Sequence, residues 1–281
     1  MRPQYLWTLP RTTIQLGDRT AIMGILNVTP DSFSDGGRFF DRETAIAQGK
    51  ELEQQGADIL DVGGESTRPG SDEIGEQEET RRVIPVIEAL AHASKIPISV
   101  DTYRAPVAQR AIEAGAQIVN DISGLRFDDE LSRLIANTRV GVVLMHSRGE
   151  RDEIHRQPSV TNPVQVVLDG LQKSVEAARA AGVPDSAIII DPGIGFSKDA
   201  PASLAVLKNL GTFSKMPYPL LVGTSRKSFI RAITQDSSDS RLLGTAATVA
   251  AAIAGGAHIV RVHDVREMRV VSDVIDRILL A

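Results

Sequence analysis

Cysteine is absent from the 281 residues, an excess of positive charge is lacking, and long apolar runs are scarce. The lack of cysteine excludes disulfide bonds, thiolate metal sites and a cysteine nucleophile, so any chemistry must come from other side chains. Lys and Arg number 31 against 36 Asp and Glu, which leaves a net charge of −5. Because no overall positive field is available to hold a nucleic-acid backbone or an anionic membrane surface, we expect neither partner.

No stretch of the chain has the length and apolarity of a targeting or membrane segment. The first residues, MRPQYLWTLPRTT, lack the apolar core of a signal peptide. Residues 245–260 form the longest weakly polar run, but it is rich in Ala and Gly and too short to span a bilayer. We therefore expect a cytoplasmic protein.

Short β-branched runs alternate with longer helix-periodic segments along the whole chain, which is the pattern of βα units around a parallel sheet. The predicted strands are residues 21–28, 58–63, 98–102, 118–122, 140–145, 187–191, 220–223 and 258–262. The predicted helices include residues 42–55, 77–92, 105–114, 163–181 and 241–254. Eight units in one chain favour an α/β fold, a (β/α)₈ TIM barrel, as a single domain over residues 1–281. A doubly wound sheet is the alternative.

A short N-terminal hairpin is expected to precede the barrel. Residues 5–20 have the pattern of two strands, with the turn near Gly17 and Asp18, and they are suited to closing the barrel floor.

Polar residues follow every predicted strand, where the active site of a (β/α)₈ barrel is built. In strand order these are Asn27, the run DVGGESTRPG, Asp101, Asn120 with Asp121, Met145 with His146, Asp191 with Phe196, Arg226 with Lys227, and Arg261 with His263. Placing so many charged side chains at one end of a barrel costs free energy, so packing alone would not favour this arrangement.

Two groups of these residues indicate two adjacent pockets. Asp101, Asn120 and Asp191 supply acceptors and an amide opposite the cation Lys227, a set suited to a planar heterocycle with amino, ring N–H and carbonyl groups. The flat guanidinium of Arg261 is suited to stacking on that ring.

A second group is suited to an oxyanion such as phosphate. Asn27, Arg68 and His263 supply polar and cationic groups, and Ser66 and Thr67 add hydroxyls.

Structural roles remain open for individual members. Asp101 and Asp191 have the residue type of helix N-caps, Asn120 could tie down a loop, and His263 alone could be a structural histidine. Met145 suits a core or a pocket wall, and Lys198 and Arg148 are expected to be solvated loop charges.

Long motifs make the chain resemble the dihydropteroate synthases of the pterin-binding enzyme family. They are MGILNVTPDSFSDGG, DVGGESTRPG, SVDTYR, VNDISG, LMH, DPGIGF, GTSRKSFI and LLGTAATVAAAIAGGAHIVRVHDV, which together span residues 23–265. The resemblance implies condensation of 6-hydroxymethyl-7,8-dihydropterin pyrophosphate with p-aminobenzoate, giving 7,8-dihydropteroate and pyrophosphate. It also implies Mg²⁺ as cofactor and a homodimer.

The resemblance also implies a role for each matching residue. The pterin site would comprise Asp101, Asn120, Met145, Asp191, Phe196, Lys227 and Arg261. The p-aminobenzoate site would comprise Thr67, Arg68, Pro69, Phe196, Lys227 and Ser228. Pyrophosphate would meet Asn27, Arg68, Arg261 and His263, with Asn27 at the metal, and the catalytic set would be Asp101, Arg68, Lys227, Arg261 and His263.

Two loops depart from the family pattern. They are residues 147–151, after LMH, and residues 197–199, after GF, where we expect altered loop geometry.

Two other functions remain as alternatives. They are a methyltetrahydrofolate-dependent corrinoid methyltransferase and a non-catalytic pterin binder. We also expect the loops of residues 27–37 and 63–70 to close over the substrates, so that binding is ordered.

Overall fold

A computed structural model describes residues 2–29, 38–66, 73–154, 156–234 and 237–281, without the side chains of residues 38–41. Two short strands come first, β1 (Tyr5–Thr8) and β2 (Thr13–Leu16). The others are β3 (Ala21–Asn27), β4 (Ile59–Gly63), β5 (Ile98–Asp101), β6 (Ile118–Asp121), β7 (Gly141–Met145), β8 (Ile188–Asp191), β9 (Leu221–Val222) and β10 (Ile259–Val262).

Strands β3 to β10 form one parallel sheet of eight strands that curves into a barrel. Their order is β8-β7-β6-β5-β4-β3-β10-β9, and an isolated parallel bridge between Ile190 and Leu220 brings β8 back beside β9. The predicted (β/α)₈ barrel is confirmed, and the doubly wound alternative is wrong, because the two end strands of an open sheet would not meet.

Helices alternate with these strands and pack outside the barrel. They are α1 (Arg38–Gln54), α2 (Glu76–Ala93), α3 (Ala105–Glu113), α4 (Asp129–Thr138), α5 (Pro163–Ala180), α6 (Ala200–Lys208), α7 (Leu210–Phe213), α8 (Ser228–Ile233), α9 (Ser238–Ala254) and α10 (Val265–Leu280). Within the described ranges, no helix has the length and apolarity to cross a membrane.

Alternation along each strand separates the two faces of the barrel wall. In β10, Val260 and Val262 join the apolar layer beneath the helices, whereas Ile259 joins the cluster inside the barrel. Arg261 follows Ile259 by two residues, so its side chain emerges inside the barrel at the carboxyl end of the strand.

The hairpin of β1 and β2 closes the floor, as predicted, but its turn is elsewhere. The strands pair antiparallel from Tyr5 with Leu16 to Thr8 with Thr13, so the turn lies at residues 9–12 and Gly17 comes after the second strand. Trp7 packs within the interior cluster, and its Nε1 donates to the carbonyl oxygen of Ala187 at 2.9 Å. The predicted turn at Gly17 and Asp18 is therefore wrong, because these two residues belong to the connection between β2 and β3.

Candidate active site

A cavity of about 460 Å³ opens at the carboxyl ends of the barrel strands. Its lining includes Asn27, Glu65, Ser66, Asp101, Asn120, Met145, Asp191, Phe196, Lys227, Ser228, Arg261 and His263. The structure therefore brings together every predicted site residue that it describes. Thr67, Arg68 and Pro69 lie outside the described residues, as do most of the two loops expected to close.

Strand register places the first polar layer of this cavity. Asn27 lies opposite Gly63, Gly63 opposite Asp101, and Asp101 opposite Asn120, so the end residues of β3, β4, β5 and the penultimate position of β6 form one row. A Cβ on Gly63 would lie 3.9 Å from Asn27 Oδ1 and 3.7 Å from Asp101 Oδ2. Glycine thus leaves open space between these two oxygens.

Arg261 lines the cavity and is held there by two carboxylates. Its Nε donates to Asp61 Oδ2 and its Nη2 to Asp101 Oδ2, both at 2.6 Å. Contacts made in the plane of a guanidinium leave its flat face for stacking on a ring. Burial raises the pKa of Asp101 to about 7, because it outweighs the attraction of Arg261.

Asp191 faces the cavity from the end of β8 and does not cap a helix. Its Oδ1 accepts from the backbone N–H of Gly193 at 2.7 Å, and the following helix, α6, is capped by Asp199. Gly193 has a φ of +63°, and a side chain there would collide with the carbonyl oxygen of His146. Burial raises the pKa of Asp191 to about 6.

Asp101 is not a helix cap either. The residue before α3 is Arg104, and the first helical N–H, that of Ala105, is bonded to Asp128 at 2.7 Å. Both aspartates therefore remain available to a ligand.

Lys227 and Phe196 form the wall of the cavity opposite the row of strand-end residues. The ammonium nitrogen of Lys227 lies 3.7 Å from the centroid of the Phe196 ring, a cation–π contact. Phe196 packs in turn with Met145, Tyr103, Ile122 and Ile154 in one buried apolar cluster. Met145 and Phe196 therefore form an apolar wall of the cavity that Asp101, Asn120 and Asp191 also line, which suits a flat heterocycle.

His263 contacts Ser225 just after β10, the strand that lies beside β3 and its last residue, Asn27. The Ser225 hydroxyl lies 3.0 Å from His263 Nδ1 and accepts from the backbone N–H of His263 at 3.2 Å. This pair orients the imidazole ring.

Lys198 is not the solvated charge that the sequence indicates. Its ammonium donates to the carbonyl oxygens of Gly193 and Phe196, each at 2.9 Å, and lies 3.0 Å from His146 Nδ1. Burial lowers the pKa of Lys198 to about 7. These bonds fix the turn after β8 that carries Phe196.

The two atypical loops contact each other. Ser197 has a φ of +53°, and its hydroxyl accepts from the Arg148 N–H at 2.8 Å and donates to the Arg148 carbonyl at 3.0 Å. The Arg148 guanidinium donates to the carbonyl of Ser197 at 2.7 Å, so the expectation of a solvated Arg148 is also wrong. The two loops that depart from the family pattern are therefore joined to each other by hydrogen bonds.

An ionic cluster beside the cavity was not predicted. Glu65, nearly fully buried, accepts from Arg104 at 2.7 Å and from Arg151 Nε at 2.6 Å, and Arg104 also pairs with the buried Glu79. Tyr103 donates to Glu65 at 3.2 Å. Sequence spacing could not reveal this cluster, because its members come from the segments after three different strands and from α2.

The model of the pterin-binding enzyme family matches residues 23–263. The chain belongs to the pterin-binding enzyme family. Within that family, the dihydropteroate synthase of Bacillus subtilis is 45% identical over 276 residues, covering 98% of this chain and 94% of the relative. That of Synechocystis is 46% identical over 267 residues, covering 95% and 92%.

Solved structures of family members have the same fold. A dihydropteroate synthase from Clostridium difficile, crystallised in the presence of pteroic acid, has a TM-score of 0.89 and 44% identity, covering 94% of this chain and 98% of that one. One from Xanthomonas albilineans with 4-aminobenzoic acid has a TM-score of 0.92 and 38% identity, with both chains covered fully at 100%.

Proposed function

We propose that the chain condenses 6-hydroxymethyl-7,8-dihydropterin pyrophosphate with p-aminobenzoate, releasing 7,8-dihydropteroate and pyrophosphate. The observation that carries the proposal is the convergence of Asp101, Asn120, Asp191 and Lys227 on one cavity, with Asn27 and His263 at the same mouth. The names of relatives that match over nearly the whole chain support the same reaction.

The acceptors Asp101, Asn120 and Asp191 hold the dihydropterin. Asp191 and Asn120 accept hydrogen bonds from amino and ring N–H groups, and Lys227 donates to a carbonyl or ring nitrogen. Arg261 stacks on one ring face, while Met145 and Phe196 cover the apolar edge.

Pyrophosphate lies where cationic and amide side chains are available. Arg261 and His263 neutralise its charge, and Arg68 of the motif DVGGESTRPG supplies a further cation. The proposed p-aminobenzoate site consists of Phe196, Lys227 and Ser228, together with Thr67 and Pro69, which lie outside the described residues.

The donor chemistry at Asn27 fits Mg²⁺. Mg²⁺ prefers oxygen ligands and commonly takes only one or two from protein, the others coming from substrate phosphates and water. Asn27 Oδ1 borders the open space left by Gly63, and the described residues contain no group of three His, Asp or Glu that would form a protein cage. Bound there by Asn27, the ion would neutralise charge on the leaving pyrophosphate.

The reaction needs no enzyme nucleophile. The C–O bond breaks with its electron pair leaving on pyrophosphate, and the resulting methylene cation is delocalised into the dihydropterin ring. The ionised carboxylate of Asp101 stabilises this positive charge, and Arg261 and His263 stabilise the leaving group. The p-aminobenzoate nitrogen then forms the C–N bond with its lone pair and loses a proton.

We also propose a cytoplasmic homodimer. The cysteine-free composition supports the compartment. An exposed apolar stripe on α10, with Val270, Val274 and Ile278 at four-residue spacing, supports contact with a second copy of the chain.

Labelled p-aminobenzoate mixed with dihydropterin pyrophosphate and Mg²⁺ tests the reaction. We expect labelled dihydropteroate to form with purified protein and not with heat-inactivated protein. Binding of a pterin without product would favour the non-catalytic binder, and methyl transfer from methyltetrahydrofolate to a corrinoid would favour the methyltransferase.

A further inference from the structure

Asp61 lies one layer below the cavity, on the interior face of β4. Its side chain is fully buried, and its position in the strand register is opposite Ser99 of β5. Asp61 is not among the residues that line the cavity, and no step of the proposed reaction uses it. A buried carboxylate is costly, so its contacts with the residues above it are informative.

One oxygen of Asp61 holds two residues of the cavity lining. Oδ2 accepts from Arg261 Nε at 2.6 Å and from Asn120 Nδ2 at 3.1 Å. These partners come from β10 and β6, so a single buried atom links two strands on different sides of the cavity. Both partners donate through N–H groups, so Oδ2 acts as the acceptor in each contact.

The contact with Asn120 determines which end of its amide faces the cavity. An asparagine amide has one donor end and one acceptor end, whereas an ionised carboxylate only accepts. Rotating the amide by half a turn would place Asn120 Oδ1 against Asp61 Oδ2, two acceptors in contact. Asn120 Oδ1 is therefore directed away from Asp61, and no described residue donates a hydrogen bond to it.

The ligand edge of the cavity is consequently rich in acceptors. Asn120 Oδ1 adds to the carboxylates of Asp101 and Asp191, which line the same cavity. A heterocycle that carries an amino group and a ring N–H matches this edge, and one that carries a carbonyl in place of the amino group does not. A buried acceptor left unpaired is strongly unfavourable, so the orientation of one amide affects which ring binds.

We propose that Asp61 is a positioning residue that selects amino-bearing heterocycles by fixing the orientation of Asn120, while it also holds the Arg261 guanidinium. The proposal rests on the pterin site of the proposed function and adds to it the origin of ring specificity. Asp61 acts through Asn120 and Arg261 and does not touch the ligand.

The test compares two ligands that differ at one ring position. Pterin has an amino group at position 2, and lumazine has a carbonyl there. Calorimetric titration gives the dissociation constant of each, and their ratio measures discrimination separately from overall affinity. We expect the wild-type chain to prefer pterin.

Two variants of Asp61 allow the Asn120 amide to rotate, to different extents. Asp61→Leu keeps the branched outline of the side chain but replaces both acceptor oxygens with larger methyl groups, so Asn120 can turn its donor end toward the lumazine carbonyl. We expect the preference for pterin to fall by about tenfold, the effect of one hydrogen bond in a buried site. Asp61→Asn has the same shape and can also donate, so we expect a smaller fall, about threefold, in the same direction. If Asp61→Leu fails to fold, the ratio of pterin to lumazine affinity in Asp61→Asn tests the proposal.

Ser99→Ala is the matched control. Ser99 is buried opposite Asp61, and its hydroxyl has no hydrogen-bond partner among the described residues. The control should leave the ratio unchanged. Equal losses of pterin and lumazine affinity in the Asp61 variants, with the ratio intact, would overturn the proposal and leave Asp61 a structural residue. Failure of the wild-type chain to bind pterin would overturn the proposed function and this proposal with it.

Discussion

Arg151 and the buried Glu65 form a partly buried ion pair that joins the loop after β7 to the loop after β4. Arg151 Nε donates to Glu65 Oε1 at 2.6 Å, and the Nη2 of the same guanidinium contacts the same oxygen. Ile154, three residues on, packs with the pocket-wall residues Met145 and Phe196. The short segment from Arg151 to Ile154 thus contacts both walls of the cavity, and it begins at the last residue of the atypical loop 147–151.

Replacing Arg151 with Gln should weaken both stability and use of p-aminobenzoate. Removing one partner from a buried pair is destabilising, but Arg104 still pairs with Glu65, so we expect a loss of about 1–2 kcal/mol in the free energy of unfolding. Thr67 follows Glu65 by two residues, so the KM for p-aminobenzoate should rise several-fold. Urea denaturation and steady-state kinetics measure the two effects.

Arg156→Gln is the control for this prediction. Arg156 is an exposed arginine of the same loop, so its replacement makes the same change in charge. Equal effects of the two replacements would show that the ion pair with Glu65 contributes nothing.

Replacing Lys227 with Ala should reduce pterin affinity without unfolding the chain. The ammonium lies over the Phe196 ring at the cavity wall, and its loss removes a charge-assisted hydrogen bond of about 1.5–3 kcal/mol. That corresponds to one to two decades in the dissociation constant. Calorimetry with a pterin analogue provides the value, and unchanged binding would exclude Lys227 from the pterin site.

Replacing Asp101 with Asn should change how stability depends on pH. The pKa of Asp101 is raised from 3.8 to about 7, mainly by burial. Between these values the folded chain retains a proton that the unfolded chain has released, so the stability due to Asp101 is present below pH 4 and lost as pH rises toward 7. Asn does not titrate.

The variant should therefore gain about 3 kcal/mol relative to the wild-type chain between pH 4.5 and pH 7.5. Urea denaturation at the two pH values measures the difference. A constant difference between the two proteins would mean that Asp101 titrates at its ordinary pKa.

Replacing Val274 with Glu should disrupt the proposed homodimer. Val274 is 53% exposed in the middle of the apolar stripe on α10. A charge there would be desolvated in a dimer but not in a monomer. Analytical ultracentrifugation should find a dimer of the wild-type chain and a monomer of the variant, and a wild-type monomer at micromolar concentration would contradict the dimer.

The positions of the site residues were predictable because strand periodicity and barrel topology together determine them. Alternation places Arg261 and His263 on one face, and parallel register brings Asn27, Asp101 and Asn120 into one row. Each of these relations depends on a strand, and strands have a regular repeat.

Contacts that depend on loop geometry were not predictable. The ammonium of Lys198 is turned away from solvent because three carbonyl oxygens of neighbouring turns converge on it, and no spacing rule describes that convergence. Gly17 and Asp18 have the residue types of a hairpin turn, yet the register of β1 with β2 puts the turn at residues 9–12. Asp61 shares the periodicity of the site residues, but its role depends on the rotamers of Asn120 and Arg261.

Pyrophosphate release by the wild-type chain and by Asp191→Asn tests the central claim most directly. Asp191 caps no helix, so the variant should melt near the wild-type temperature, while a donor replaces one of the acceptors facing the pterin. We predict that the wild-type chain forms pyrophosphate and dihydropteroate in equal amounts and that the variant loses at least tenfold in rate at low pterin concentration. Absence of product with the wild-type chain, or an unchanged rate in the variant, would contradict the account.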